Sequence, residues 1–142
     1  MEDFTVAWRV RAIRGATTAS ENSVAAIREV VNELLDELEA HNQLDPVEVV
    51  SVTFSVTRDL DVIFPAAIAR ERTHWCDIPL LDVQQMYVAT DLKRCIRCLI
   101  LFNTPNPNIE VYHVYLRQAK NLRPDWSLTG AELHPREAMQ PH

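Results

Sequence analysis

Glycine is scarce in this chain. The 142 residues contain two, Gly15 and Gly130, so a glycine-rich phosphate loop is excluded. Cysteine is scarce too: the three present, Cys76, Cys95 and Cys98, are too few for a disulfide framework and read as free thiols. The Cys95-x-x-Cys98 spacing has no second cysteine pair. It lies in a run that reads as a strand, where residues three apart point to opposite faces, so buried structural cysteines are expected rather than a metal site. No apolar run approaches the roughly 20 residues that span a bilayer, and Met1-Glu2-Asp3-Phe4 lacks the basic start of a signal peptide. A cytoplasmic protein with no membrane contact is expected. There is no excess of positive charge either. The net charge of −6 argues against a nucleic-acid partner, which needs a basic stripe. No serine stands in an elbow motif, the histidines are scattered, and no metal-binding cluster is visible. His74 and His113 read as surface or interface residues rather than bases.

What is present is a mixed pattern with no repeat or linker, in a length suited to one domain. Val6 to Arg14 reads as a strand that Gly15 breaks. From Asn22 to His41, Val24, Ile27, Val31, Leu34, Leu35 and Leu38 recur at helical steps, and Asn22 or Ser23 is the cap. Asp45-Pro46 marks a turn or one helical turn. Val49 to Val56 is β-branched and reads as a strand. Phe64-Pro65 opens a short helix, with proline where helix starts tolerate it. Ile78 to Val83, Arg94 to Phe102 and His113 to Leu122 read as three further strands. Thr104 to Asn108 is a loop followed by a short helical turn, and from Thr129 onward a polar tail is expected to be mobile. The expectation is an α+β single domain over 1–142, a mixed sheet with two helices and an ordered core over about 6–128. A sheet this small usually buries its second face somewhere, and covering it with copies of itself in a symmetric oligomer is one economical solution.

Arginines beside apolar strand ends are the sharpest chemical signal: Arg11, Arg14, Arg70, Arg94, Arg97, Arg117 and Arg123. Arg97, between Ile96 and Cys98, is costly to bury without a partner. An internal ion pair, a salt bridge across a subunit interface and a carboxylated ligand all remain open on these residues alone.

Five ordered segments resemble the family of small trimeric chorismate mutases. They are Arg11-Ala-Ile-Arg-Gly-Ala-Thr-Thr18, Phe64-Pro-Ala-Ala-Ile-Ala-Arg70 with Trp75 and Pro79 after it, Lys93-Arg-Cys-Ile-Arg97, His113-Val-Tyr-Leu116 and Leu122-Arg-Pro-Asp125. The resemblance spans roughly residues 9 to 128. It implies a homotrimer forming a pseudo-α/β barrel, with no cofactor and no metal. Its active sites would lie at subunit interfaces and convert chorismate to prephenate, on the shikimate-derived route to phenylalanine and tyrosine. It implies that Arg14 and Tyr115 hold a substrate carboxylate and that Arg97 reaches the ether oxygen. Phe64 would pack on the ring, Arg70 and Arg123 would guard the mouth, and Leu116 would lie alongside. The chain departs from the family pattern at three places: Ala67 where a lysine is frequent, Asp82 where a cysteine is, and Gln85 where a glutamate is. The implied reading is that Asp82 supplies the negative charge facing the ring and that Gln85 adds a neutral hydrogen bond. The competing reading is a trimeric carboxylate-metabolite binder or imine deaminase of similar architecture.

Overall fold

A computed structural model describes residues 7–106 and 108–125. The expected tail after residue 128 and the strand start at Val6 fall outside them. Five strands form one sheet in the order β3-β2-β4-β1-β5. They are β1 (Arg9–Thr18), β2 (Val49–Val56), β3 (Leu80–Gln84), β4 (Cys95–Thr104) and β5 (Val114–Tyr115), with helices α1 (Val24–Asn42) and α2 (Pro65–Ala69). In the sheet, β4 is antiparallel to both β1 and β2, while β3 and β5 lie parallel to β2 and β1 at the two edges.

Local chemistry accounts for the elements. Ser23 caps α1, its Oγ accepting from the Ala26 N–H at 3.1 Å. The helix stops at Gln43, which is left-handed at φ 48°. Ile27, Val30, Val31, Leu34, Leu35 and Leu38 form one fully buried stripe. They pack on the sheet face made by Ile13, Val52, Phe54, Ile96, Ile100 and Phe102. Behind α2, the buried Trp75 donates from Nε1 to Glu39 at 2.8 Å, and Arg72 pairs with Asp36 and Glu39. These contacts clamp α2 to α1 and so fix the position of Phe64 at its start.

Three expectations are corrected. Gly15 does not break β1; it is an interior residue paired with Cys98 and Val114. A Cβ there would sit 3.0 Å from Leu38 Cδ1, 3.1 Å from Leu34 Cδ1 and 3.2 Å from Cys98 Sγ. Glycine thus lets α1 close onto the sheet. The last strand is two residues long, not His113 to Leu122, because Arg117 turns left-handed at φ 52° and opens a 3-10 helix, Arg117–Asn121. Segment 109–113 is irregular rather than a helical turn.

The sheet face away from α1 is lightly covered. Alternation places Arg14 and Ala16 of β1, Thr53 and Ser55 of β2, and Arg97 and Leu99 of β4 on it. Leu81 and Val83 of β3 and Leu99 are exposed by 57%, 40% and 40%, an apolar band that a solvated surface does not favour.

Candidate active site

The functional side chains fall into two groups. The first lies on the open face, toward β5. Tyr115 is buried there with Ala16 and Ala119, and Leu92 and Leu122 pack against them. The Tyr115 phenol feels Arg14, Arg123 and Arg97 together, which pull its pKa down, but burial outweighs them and leaves it above its ordinary value. Beside it, the Arg14 backbone N–H donates to His113 Nδ1 at 3.0 Å. Burial, and then Arg14, Arg123 and Arg11, lower the His113 pKa, so this ring is a neutral acceptor packed among cations. His113 is half-buried beside the arginine cluster. Arg123 also forms a two-bond pair with Asp125, at 3.1 and 2.8 Å.

Arg97 reaches this face from near the start of β4, with Ala16 and Ser55 as its strand neighbours. Its Nη2 donates to both oxygens of Asp91 at 3.2 Å. Asp91 in turn accepts from Gln85 Nε2. The Arg97 charge therefore has the internal carboxylate partner that sequence reading left open, without identifying it as Asp91. Five residues of irregular chain and strand start separate the two in sequence, and the return of the loop onto β4 brings them together.

The second group lies at the other edge. A cavity of about 440 Å³ is lined by Val56, Thr57, Phe64, Ala67, Asp82 and Val83, among others. Phe64 is 69% exposed, which is unusual for a large aromatic residue held on a rigid helix start. Asp82 Oδ1 accepts from the Ala66 N–H of α2 at 3.0 Å. Burial raises the Asp82 pKa, while that hydrogen bond and the nearby Arg70 pull it back. Arg70 is exposed beside it.

One chain does not bring the two groups together. Asp82 is on β3 and Tyr115 on β5, at opposite edges of the sheet, so four strand intervals of about 4.8 Å, roughly 19 Å, separate them. Asp82 also pairs in register with Phe54, which points into the core, whereas Arg97 pairs with Ser55 on the opposite face. Of the residues named from sequence, Arg14, Arg97, Tyr115, Arg123 and Gln85 belong to the first group. Phe64, Arg70 and Asp82 belong to the second. Leu116 belongs to neither: it is buried in the main core, and its backbone N–H bonds to Ala16, so its expected place in the substrate pocket is withdrawn. Leu122 is the leucine beside Tyr115. Arg117 is spent on Glu29 and Glu33 of α1. Cys95 and Cys98 are free and buried, and burial pushes the Cys98 thiol up to about 12.

Fold and side-chain placement together define an α+β domain with two groups of candidate residues, one rich in arginine and one presenting an aromatic ring beside a carboxylate. Residues 10–126 match the family model for chorismate mutase type I, and the chain belongs to that family. It is 44% identical to the chorismate mutase AroH of Thermus thermophilus over 117 residues, covering 82% of this chain and 95% of that protein. It is 38% identical to the AroH chorismate mutase of Bacillus subtilis over 120 residues, covering 84% and 94%. Among solved structures, a chorismate mutase from Clostridium thermocellum superposes with a TM-score of 0.74 at 38% identity, covering 78% of this chain and 98% of that one.

Proposed function

We propose that this protein isomerises chorismate to prephenate in the clefts of a homotrimer, each cleft closed by the arginine half-site of one subunit and the Phe64–Asp82 half-site of the next. The observation that carries the reading is the placement of two chemically complementary groups on opposite faces of the sheet, with Asp82 and Tyr115 on its two edge strands, in a family member. The uncovered band of Leu81, Val83 and Leu99 is the surface that association would bury. A carboxylate binder or an imine deaminase has no observation in its favour. The enzyme would work in the cytoplasm, where biosynthetic metabolites meet it; among the described residues no helix is long and apolar enough to cross a membrane.

The reaction is a one-substrate pericyclic rearrangement, and it needs no nucleophile. As the carbon–oxygen bond breaks ahead of carbon–carbon bond formation, negative charge gathers on the ether oxygen and positive charge spreads over the ring. Arg14, Arg123 and Tyr115 would hold the carboxylates and fold the side arm over the ring, which removes the entropic part of the barrier. Arg97 would meet the growing charge on the ether oxygen with a fixed, already desolvated cation. Its planar fork suits the task because it presents several donors in one plane. From the neighbouring subunit, Phe64 would pack on the ring and Asp82 would face its positive charge. Arg70, beside Asp82, would draw the dianion in at the mouth.

The test is direct. Absorbance decay of chorismate with the purified chain, and identification of prephenate as product, is the expected outcome. Unchanged chorismate after prolonged incubation with a folded, assembled protein would overturn the reading.

A further inference from the structure

Gln85, Asp91 and Arg97 form a connected set. Gln85 directly follows β3, and its backbone N–H is tied to the Val56 carbonyl at 2.9 Å. Asp91 stands in the loop leading to β4. Its Oδ2 accepts from Gln85 Nε2, and both its oxygens accept from Arg97 Nη2 at 3.2 Å. A carboxylate only accepts, so it dictates which end of the amide faces it: Nε2 turns in and Oε1 turns away. That Oε1 is buried with no hydrogen-bond partner among the described residues, and Arg97 Nε is buried with no nitrogen or oxygen partner among them, the weakly accepting Cys95 thiol alone lying against the guanidinium. The ion pair thus leaves one desolvated acceptor and one desolvated donor. A ligand bearing a hydroxyl beside an acceptor oxygen satisfies both.

We propose that Asp91 is a positioning residue for the rearrangement: it locks Gln85 with Oε1 toward the substrate hydroxyl and holds Arg97 by Nη2 so that Nε is aimed at the ether oxygen. The proposal rests on the chorismate reading above. It also accounts for the amide at position 85. A glutamate there would press a carboxylate against Asp91, and the two would repel or share a proton. Negative charge is kept in this corner of the cleft, but one residue behind the group that touches substrate. No bond to substrate is made by Asp91 itself.

The experiment uses four full-length proteins: wild type, Asp91→Asn, Gln85→Glu and the double variant. Each is checked for assembly and melting temperature before chorismate turnover is measured. Asp91→Asn should lower kcat about ten-fold or more, with a smaller change in KM, because the position lost is needed most in the transition state. Gln85→Glu alone should also lose about ten-fold. Its turnover should rise on acidification, since protonating one of two adjacent carboxylates relieves their repulsion, while the wild type has no such pair. The double variant should recover to within about three-fold of wild type, because the new amide at position 91 donates to the new carboxylate at 85 and the polarity of the contact is reversed. An Asp91→Asn variant within a factor of two of wild type would overturn the proposal. So would a double variant no better than the worse single one, or a Gln85→Glu variant with the pH profile of wild type. Wild type inactive on chorismate would instead overturn the functional reading on which the proposal stands.

Discussion

A guanidinium in an apolar strand stays charged, so its burial is costly unless something compensates it, and for Arg97 the compensation among the described residues is partial. Asp91 meets Nη2, but among the described residues Nε is buried with no nitrogen or oxygen partner, only the Cys95 thiol lying against the guanidinium. A group desolvated in this way before substrate arrives needs little reorganisation when charge develops near it. Arg97→Ala should therefore leave the fold intact and lower turnover by ~10²–10³-fold, the scale of losing one preorganised donor to a developing oxyanion. Lysine should rescue it poorly, because a point charge does not hold two acceptors in one plane. Turnover within a factor of two of wild type would make Arg97 purely structural. Asp82 is the second test at this scale. Asp82→Asn keeps an acceptor for the Ala66 N–H and removes only the charge, so a ten-fold fall, about 1.4 kcal/mol of transition-state stabilisation, is expected. Because burial raises the Asp82 pKa, wild type should begin to lose turnover on acidification above the pH at which an ordinary aspartate titrates. The asparagine variant should lack that part of the profile. A parallel acid limb in both proteins would assign it to another group.

The elements differ in how far neighbouring sequence determines them. Helix α1 was legible because its apolar residues recur on one stripe, and Ser23 caps it as its residue type predicts. The start of α2 at Pro65 was legible for a similar reason, a local steric preference. The role of Gly15 was not, because what demands glycine there is the approach of Leu34 and Leu38 from an element that follows in sequence. Gly15→Ala should cost about 1–3 kcal/mol, as overpacking of a close helix–strand contact does. Denaturant unfolding would show it as a lower midpoint at an unchanged slope, and an unchanged midpoint would mean that α1 shifts freely. The end of β5 was missed because two residues are too few for alternation to show, and the left-handed turn at Arg117 leaves no pattern in the residues before it. Within the candidate site, the arginines were visible as costly residues in apolar strands. Asp91 and His113 were not, since only loop geometry and the packing of β5 give them partners. The division of the site between two sheet edges was available from sequence only through family resemblance, because strand order is a tertiary fact.

For the whole molecule, the account depends on copies of the chain meeting. A substrate the size of one ring and a short side arm does not bridge the roughly 19 Å between edge strands. A contact joining opposite edges would be heterologous, and such contacts close into rings when the rotation allows. The most direct measurement mixes two variants, each damaged in a different half-site. Arg97→Ala disables the arginine side, and Ala67→Glu places a negative charge in the Phe64–Asp82 cavity, where it repels a dicarboxylate. Each alone should be nearly inactive. Refolded together in equal amounts and reassembled, the two chains should show about one quarter of wild-type turnover, because random arrangement leaves that share of clefts with both halves intact. A mixture no more active than the average of its two components would contradict the shared site, and with it the central claim.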